Sequence, residues 1–206
     1  MAITLLASLI IMAAYFLLLY GGVGFIQDKK FFSSAPKENL DAIPDKKERF
    51  PGAHILGWVI EGLAVLLFLG AAVLAVWDGV RNQFGFGAFF ARFLFMLYVM
   101  EVYDIAFFDC VLLCRSNFFP HFYPELKGVV GPHMFGYNKR THLIHFAIYL
   151  PASAAADATM TQSTWARTAL VPMVAAAVCA TVFRARIPAA LHHVMLMFPA
   201  PLSLQQ

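Results

Sequence analysis

The chain has 206 residues, of which 61% are hydrophobic, 15% aromatic and only 13% charged, about half the roughly 25% charged residues of an average soluble domain. A mean hydropathy of +0.70 leaves too little polar side chain to cover a water-soluble core of this length, so the expected solvent is the bilayer and membrane lipids are the expected partners. The formal charge of +3 does not point to nucleic acid, because the basic residues are scattered among apolar blocks and form no stripe.

A bilayer core of about 30 Å requires about 20 apolar residues in a helix, and blocks of roughly that size recur five times. The first runs from Ala2 to Ile26 and ends in the cluster Gly21, Gly22, Gly24. It lacks the basic start of a secretory signal and is too long for one, so it is expected to be a retained helix. A polar stretch with nearly balanced charge, Gln27 to Ala53, leads to the second block, about residues 54–77, which carries Glu61 and the small residues Gly62, Gly70, Ala71, Ala72 and Ala75. Such small residues mark close helix packing.

The third block, about residues 86–114, is the longest and the least purely apolar, containing Arg92, Glu101, Asp104 and Asp109. After it, residues 115–140 form a segment dense in aromatics, prolines and glycines, which predicts an ordered loop against the membrane interface. The fourth block, about residues 141–156, is either short or extends back into that loop, and Pro151 is placed to kink it. The fifth, about residues 165–183, contains Pro172. An open sheet cannot satisfy its backbone in lipid and no barrel-like alternation is present, so all five are expected to be helices. The reading is an all-α, polytopic transmembrane bundle forming one integral membrane domain over residues 1–206.

Lys and Arg near the ends of spans stay in the cytoplasm. With five spans, residues 27–53, 115–141 and 184–206 share one side and hold twelve Lys or Arg, whereas the other side holds only Arg81, Arg92 and Arg167. The N-terminus is therefore expected outside and the C-terminus in the cytoplasm, most simply of a bacterial inner membrane. The three cysteines, Cys110, Cys114 and Cys179, lie in apolar stretches and read as free thiols acting as small hydrophobes.

Charged residues at membrane depth are costly unless paired or hydrated, which directs attention to the third block. At about 100° per residue, Asp104 lies about 60° to one side of Glu101 and Asp109 about 80° to the other. Arg92 falls on the opposite face near the outer end, where it is expected to snorkel to headgroups. The loop supplies His121, Glu125, His133 and Asn138, and the next helix opens with His142 and His145, whose spacing of three puts both rings on one face. His54 and Glu61 enter the same leaflet from the second block. The plain alternatives are an Asp109 close enough to the cytoplasmic end to stay hydrated, structural hydrogen bonds between helices for Glu101 and Asp104, and bonds to loop backbone for the histidines.

Imidazoles and carboxylates from several helices are thus expected to converge in the cytoplasmic leaflet. Such a set suits a divalent metal (zinc, manganese or iron), with His142, His145, His121 and His133 as candidate ligands and Glu101, Asp104, Asp109 and Glu125 as candidate catalytic acids or bases. His54, Glu61 and Asn138 complete the polar site. Haem ligation is less favoured, because the histidines cluster at one end. The sequence contains no Walker loop, no nucleophile elbow, no H-E-x-x-H and no dinucleotide fingerprint. The leading expectation is a metal-dependent membrane enzyme acting on a lipid or other amphipathic substrate. The alternatives are a small transporter of protons, metal ions or solutes, and a noncatalytic subunit. The expected assembly is a homo-oligomer or a pairing with another membrane subunit.

Overall fold

The computed structural model describes residues 1–28, 43–44 and 47–162. Among these every regular element is helical and no strand forms. The expected fifth block, Cys179 and the tail with His192 and His193 lie outside the described residues, as does most of the first polar loop. Helix α1 (Ala2–Gly21) runs directly into a π-helical turn, Gly22–Ile26. Helix α2 covers Ala53–Arg81. Helix α3 (Phe86–Tyr103) continues without a break as a ten-residue π-helical segment, Asp104–Leu113. A single short turn of helix, α4 (Phe118–Phe122), and two 3-10 turns (Pro124–Leu126 and Pro132–Met134) follow. Helix α5 spans Lys139–Gln162.

Ala2–Ile26 and Ala53–Arg81 are long and apolar enough to cross a membrane. They pack on each other through small residues at heptad spacing. Ala7, Ala14 and Gly21 of α1 and Gly57, Ala64 and Ala71 of α2 are all buried, which lets the two backbones approach closely. The approach is tightest at Gly57, where a Cβ would stand 2.6 Å from Ile26 Cγ1 and 3.1 Å from the Ile26 backbone nitrogen. Ala71 and Ala75 serve this interface, whereas Gly62 and Gly70 are exposed. The opposite face of α2 presents Ile55, Trp58, Val59, Leu63, Leu66, Val73 and Trp77 to the outside. An apolar exterior surrounds buried Glu61, Arg92, Glu101, Asp104 and Asp109, the inverse of the polarity of a water-soluble bundle.

Helices α2 and α3 form a hairpin tied by Arg92, which is only 4% exposed. Its Nη2 donates to Asp78 Oδ2 at 2.6 Å, its Nη1 donates to the Ala75 carbonyl, and the guanidinium lies 4.3 Å from the centre of the Phe84 ring. The sequence suggested snorkelling to headgroups. The side chain instead turns inward, because the preceding helix supplies a carboxylate and a carbonyl at its own depth, and pairing inside the protein replaces hydration by the interface.

Helix α5 begins two residues earlier than expected and extends to Gln162, with Pro151 inside it. It packs antiparallel to α3 and its π-helical continuation, as shown by the contacts of Tyr98 with Phe146 and Tyr149 and of Asp109 with Asn138. The aromatic loop gathers at the same end of the bundle as the end of α1. Phe118 packs tilted and Phe122 edge-on against Tyr20, and Val23, Ile43, Tyr123 and Leu126 form a small core of their own. Tyr123 is fully buried, and burial, with the Asp28 and Glu125 carboxylates adding to it, pushes its phenol above the ordinary range.

Candidate functional site

The change of winding after Tyr103 decides which acids face together. In a continuous α-helix, Asp109 would lie about 140° around from Asp104. Over Asp104–Leu113 the backbone instead closes wider turns, with the Cys114 N–H on the Asp109 carbonyl at 3.2 Å and the Ser116 N–H on the Val111 carbonyl at 2.8 Å. A π turn takes about 4.4 residues, so the step from Asp104 to Asp109 overshoots one full circle by only about 50°. Asp109 thereby returns to within roughly 10° of Glu101, rather than the 80° of uniform α winding. Two carboxylates eight positions apart can then grip one ring from the facing helix.

That ring is His142. Its Nδ1 lies 2.7 Å from Glu101 Oε1 and its Nε2 lies 2.8 Å from Asp109 Oδ2. His145 Nδ1 approaches the same Glu101 oxygen at 3.2 Å, while the Tyr149 hydroxyl donates to Glu101 Oε2 at 2.7 Å. Asn138 Nδ2 donates to Asp109 Oδ1 at 3.2 Å, and Asp104 Oδ2 lies 3.9 Å from His142 Nδ1. Glu101, Asp104, Asp109, Asn138, His142 and Tyr149 are all buried and His145 is half-buried.

A neutral imidazole offers one donor and one acceptor nitrogen. A ring flanked on both sides by carboxylate oxygens is therefore an imidazolium, or faces a carboxyl that has kept its proton, or has one nitrogen on a metal. The third arrangement fits the neighbouring groups well. One ligand atom from each of Glu101, His142 and His145 lies within 4.8 Å of the others, so these three could hold a metal ion. Were His142 to hold an ion through Nδ1, its Nε2–H would donate to Asp109, and such a carboxylate partner would fix the ring and raise its basicity as a ligand. Tyr149 occupies Glu101 Oε2 and leaves Oε1 toward the histidines.

The remaining sequence-derived candidates stand elsewhere. His121 is exposed, its ring edge-on to Phe122. His133 is exposed and its Nε2 lies 2.9 Å from the Val129 carbonyl. Glu125 is exposed on a 3-10 turn. His54 is half-buried at the start of α2, where its backbone N–H donates to Glu48 at 2.9 Å. Glu61 is buried against α1. Tyr149 is the contributor that the sequence reading missed. His142, His145 and Tyr149, spaced by three and then four, occupy one helical face, and that spacing was the available signal.

Compared with known proteins, the chain matches no family model, no curated protein and no solved structure. Its chemistry must therefore be inferred from the arrangement itself.

Proposed function

We propose that the chain is a polytopic membrane protein of about five spans, N-terminus outside, and that it works as a metal-dependent enzyme on a lipid or other amphipathic substrate. One observation carries the reading: Glu101 Oε1 is shared by the Nδ1 atoms of His142 and His145, at 2.7 and 3.2 Å, between α3 and α5. Two imidazoles and one carboxylate are a donor set for zinc, with iron(II) or manganese also compatible, and three protein ligands leave a position open for water or substrate. Three carboxylates against two imidazoles leave negative charge that a divalent cation would offset, and at this depth such an offset is worth more than in water. A divalent ion there would acidify bound water or polarise a substrate oxygen. Asp104, whose Oδ2 lies 3.9 Å from His142 Nδ1 and outside the trio, is a further carboxylate there suited to moving a proton.

Orientation follows from the twelve-to-three bias of basic residues. Single cysteines introduced as Lys37→Cys and Lys127→Cys, in a chain with its native cysteines replaced, should both be shielded from an impermeant thiol reagent added outside intact cells. Labelling of Lys127→Cys from outside would invert the topology and put the site in the outer leaflet.

The function itself is tested on purified protein. After chelation and re-equilibration with limiting zinc, the wild-type chain should retain about one equivalent, and Glu101→Gln should retain little. A second reading is favoured by one feature, the engagement of both His142 nitrogens by carboxylates, which is also the geometry of a proton relay. Under that reading the protein in liposomes would conduct protons, Glu101→Gln would stop the flux, and zinc would bind wild type and variant alike.

A further inference from the structure

Glu61 lies apart from the metal-binding trio, on the face of α2 that packs against α1. It is 6% exposed, and its Oε1 is buried without a hydrogen-bond partner among the described residues. The carboxyl is aimed at Gly21, where a Cβ would stand only 2.9 Å from Oε1. Any residue other than glycine at that position would fill the space it occupies. The Gly22 backbone N–H is directed to the Leu18 and Leu19 carbonyls of its own helix, and the Gly57 carbonyl would stand 3.4 Å from a Cβ at Gly21.

Helix α1 offers no counter-charge, since Ala2–Gly21 contains no acidic or basic residue. The nearest cationic side chain in sequence terms, Arg49, is spent on the Gly24 carbonyl at 3.0 Å and the Phe122 ring at 5.1 Å. A carboxylate at this depth with an unpartnered oxygen is far from electrically satisfied. The Gly57 carbonyl is an acceptor, useless to a carboxylate but suited to an O–H or a small cation.

We propose that Glu61 binds one small monovalent cation, a proton or a sodium ion, in a glycine-lined site between α1 and α2 that is separate from the Glu101 cluster. The shared chemistry is neutralisation of a single buried carboxylate, and it does not depend on the metal-centre reading.

Dicyclohexylcarbodiimide tests it on the full-length protein in detergent. This apolar reagent adds to a protonated carboxyl: the carboxyl oxygen bonds to the central carbon, the proton goes to nitrogen, and nothing leaves. Peptide mass spectrometry should find the adduct on Glu61 at neutral pH at about ten times the level on exposed Glu48 or more, one decade being one unit of proton affinity. Glu61→Gln should lose that adduct, and Gly21→Ala, which crowds the oxygen, should lower it. If the ion is a proton, the adduct falls as pH rises and sodium has no effect. If it is sodium, sodium chloride suppresses the adduct at constant pH where choline chloride does not. An adduct absent from Glu61 in both salts at every pH, with the protein folded by its melting transition, would overturn the site. Because Glu101→Gln should leave this labelling unchanged, failure here is distinguishable from failure of the metal centre.

Discussion

Replacing His142 or His145 by Ala should each strip nearly all bound metal from the protein, and the double replacement should remove scarcely more. Both rings converge on one oxygen of Glu101, so loss of either leaves two ligands, and groups acting as a unit are non-additive on mutation. Asp109→Ala belongs to the same series with a different signature. Asp109 touches His142 Nε2 and not the trio of ligand atoms, and it is expected to lower metal affinity about 10- to 100-fold, as loss of a ligand-orienting carboxylate does. Added to either His replacement, it should cost little more. Isothermal titration with zinc separates the outcomes, and three independent, additive losses would mean that the residues serve different purposes.

The largest effect on stability is expected at the other end of the bundle. Arg92→Leu leaves Asp78 facing a low-polarity contact, and Asp78→Leu leaves a guanidinium buried without its carboxylate. Breaking a buried pair costs about 3–5 kcal/mol. The lower end applies, since Asp78 is 17% exposed and Asn82 also bonds to it at 3.0 Å. The double replacement removes both charges and should recover most of the loss. Unfolding in mixed micelles measures all three variants. Single replacements indistinguishable from wild type would mean that Arg92 reaches the headgroups after all.

The helical class was legible because composition and block length leave few choices in a bilayer, and the ends of α2, and of α3 taken together with its π-helical continuation to Leu113, lie within a few residues of expectation. Glu101, Asp109, His142, His145 and Asn138 were all singled out, since charge and imidazole are conspicuous in apolar surroundings. Their register was not legible. Uniform α winding separates Glu101 from Asp109, and nothing local in DIAFFDCVLL announces ten residues of π winding. The direction of Arg92 was hidden for a related reason: its partner, Asp78, lies fourteen residues back across a turn. In the loop, proline and glycine pointed to an ordered segment against the membrane interface, and the described residues there form one short helix and two 3-10 turns. Proline and glycine could not reveal that the His133 ring bonds back onto Val129, a local contact that competes with any role at the cluster.

Both proposed sites are built on buried carboxylates, yet they differ in kind. Glu101 faces three hydrogen-bonding side chains from α5, an arrangement in which a multivalent ligand gains from every partner. Glu61 faces glycine and backbone, where a single small charge suffices.

X-ray absorption at the zinc edge of the reconstituted wild-type protein tests the metal centre most directly. The expected spectrum has a first shell of nitrogen and oxygen at about 2.0–2.1 Å, with outer-shell scattering from two imidazoles, and His145→Ala should retain almost no zinc to give a spectrum. A sulfur shell at about 2.3 Å, which would implicate Cys110 and Cys114, or a spectrum without imidazole scattering, would contradict the assignment of Glu101, His142 and His145 as the metal ligands.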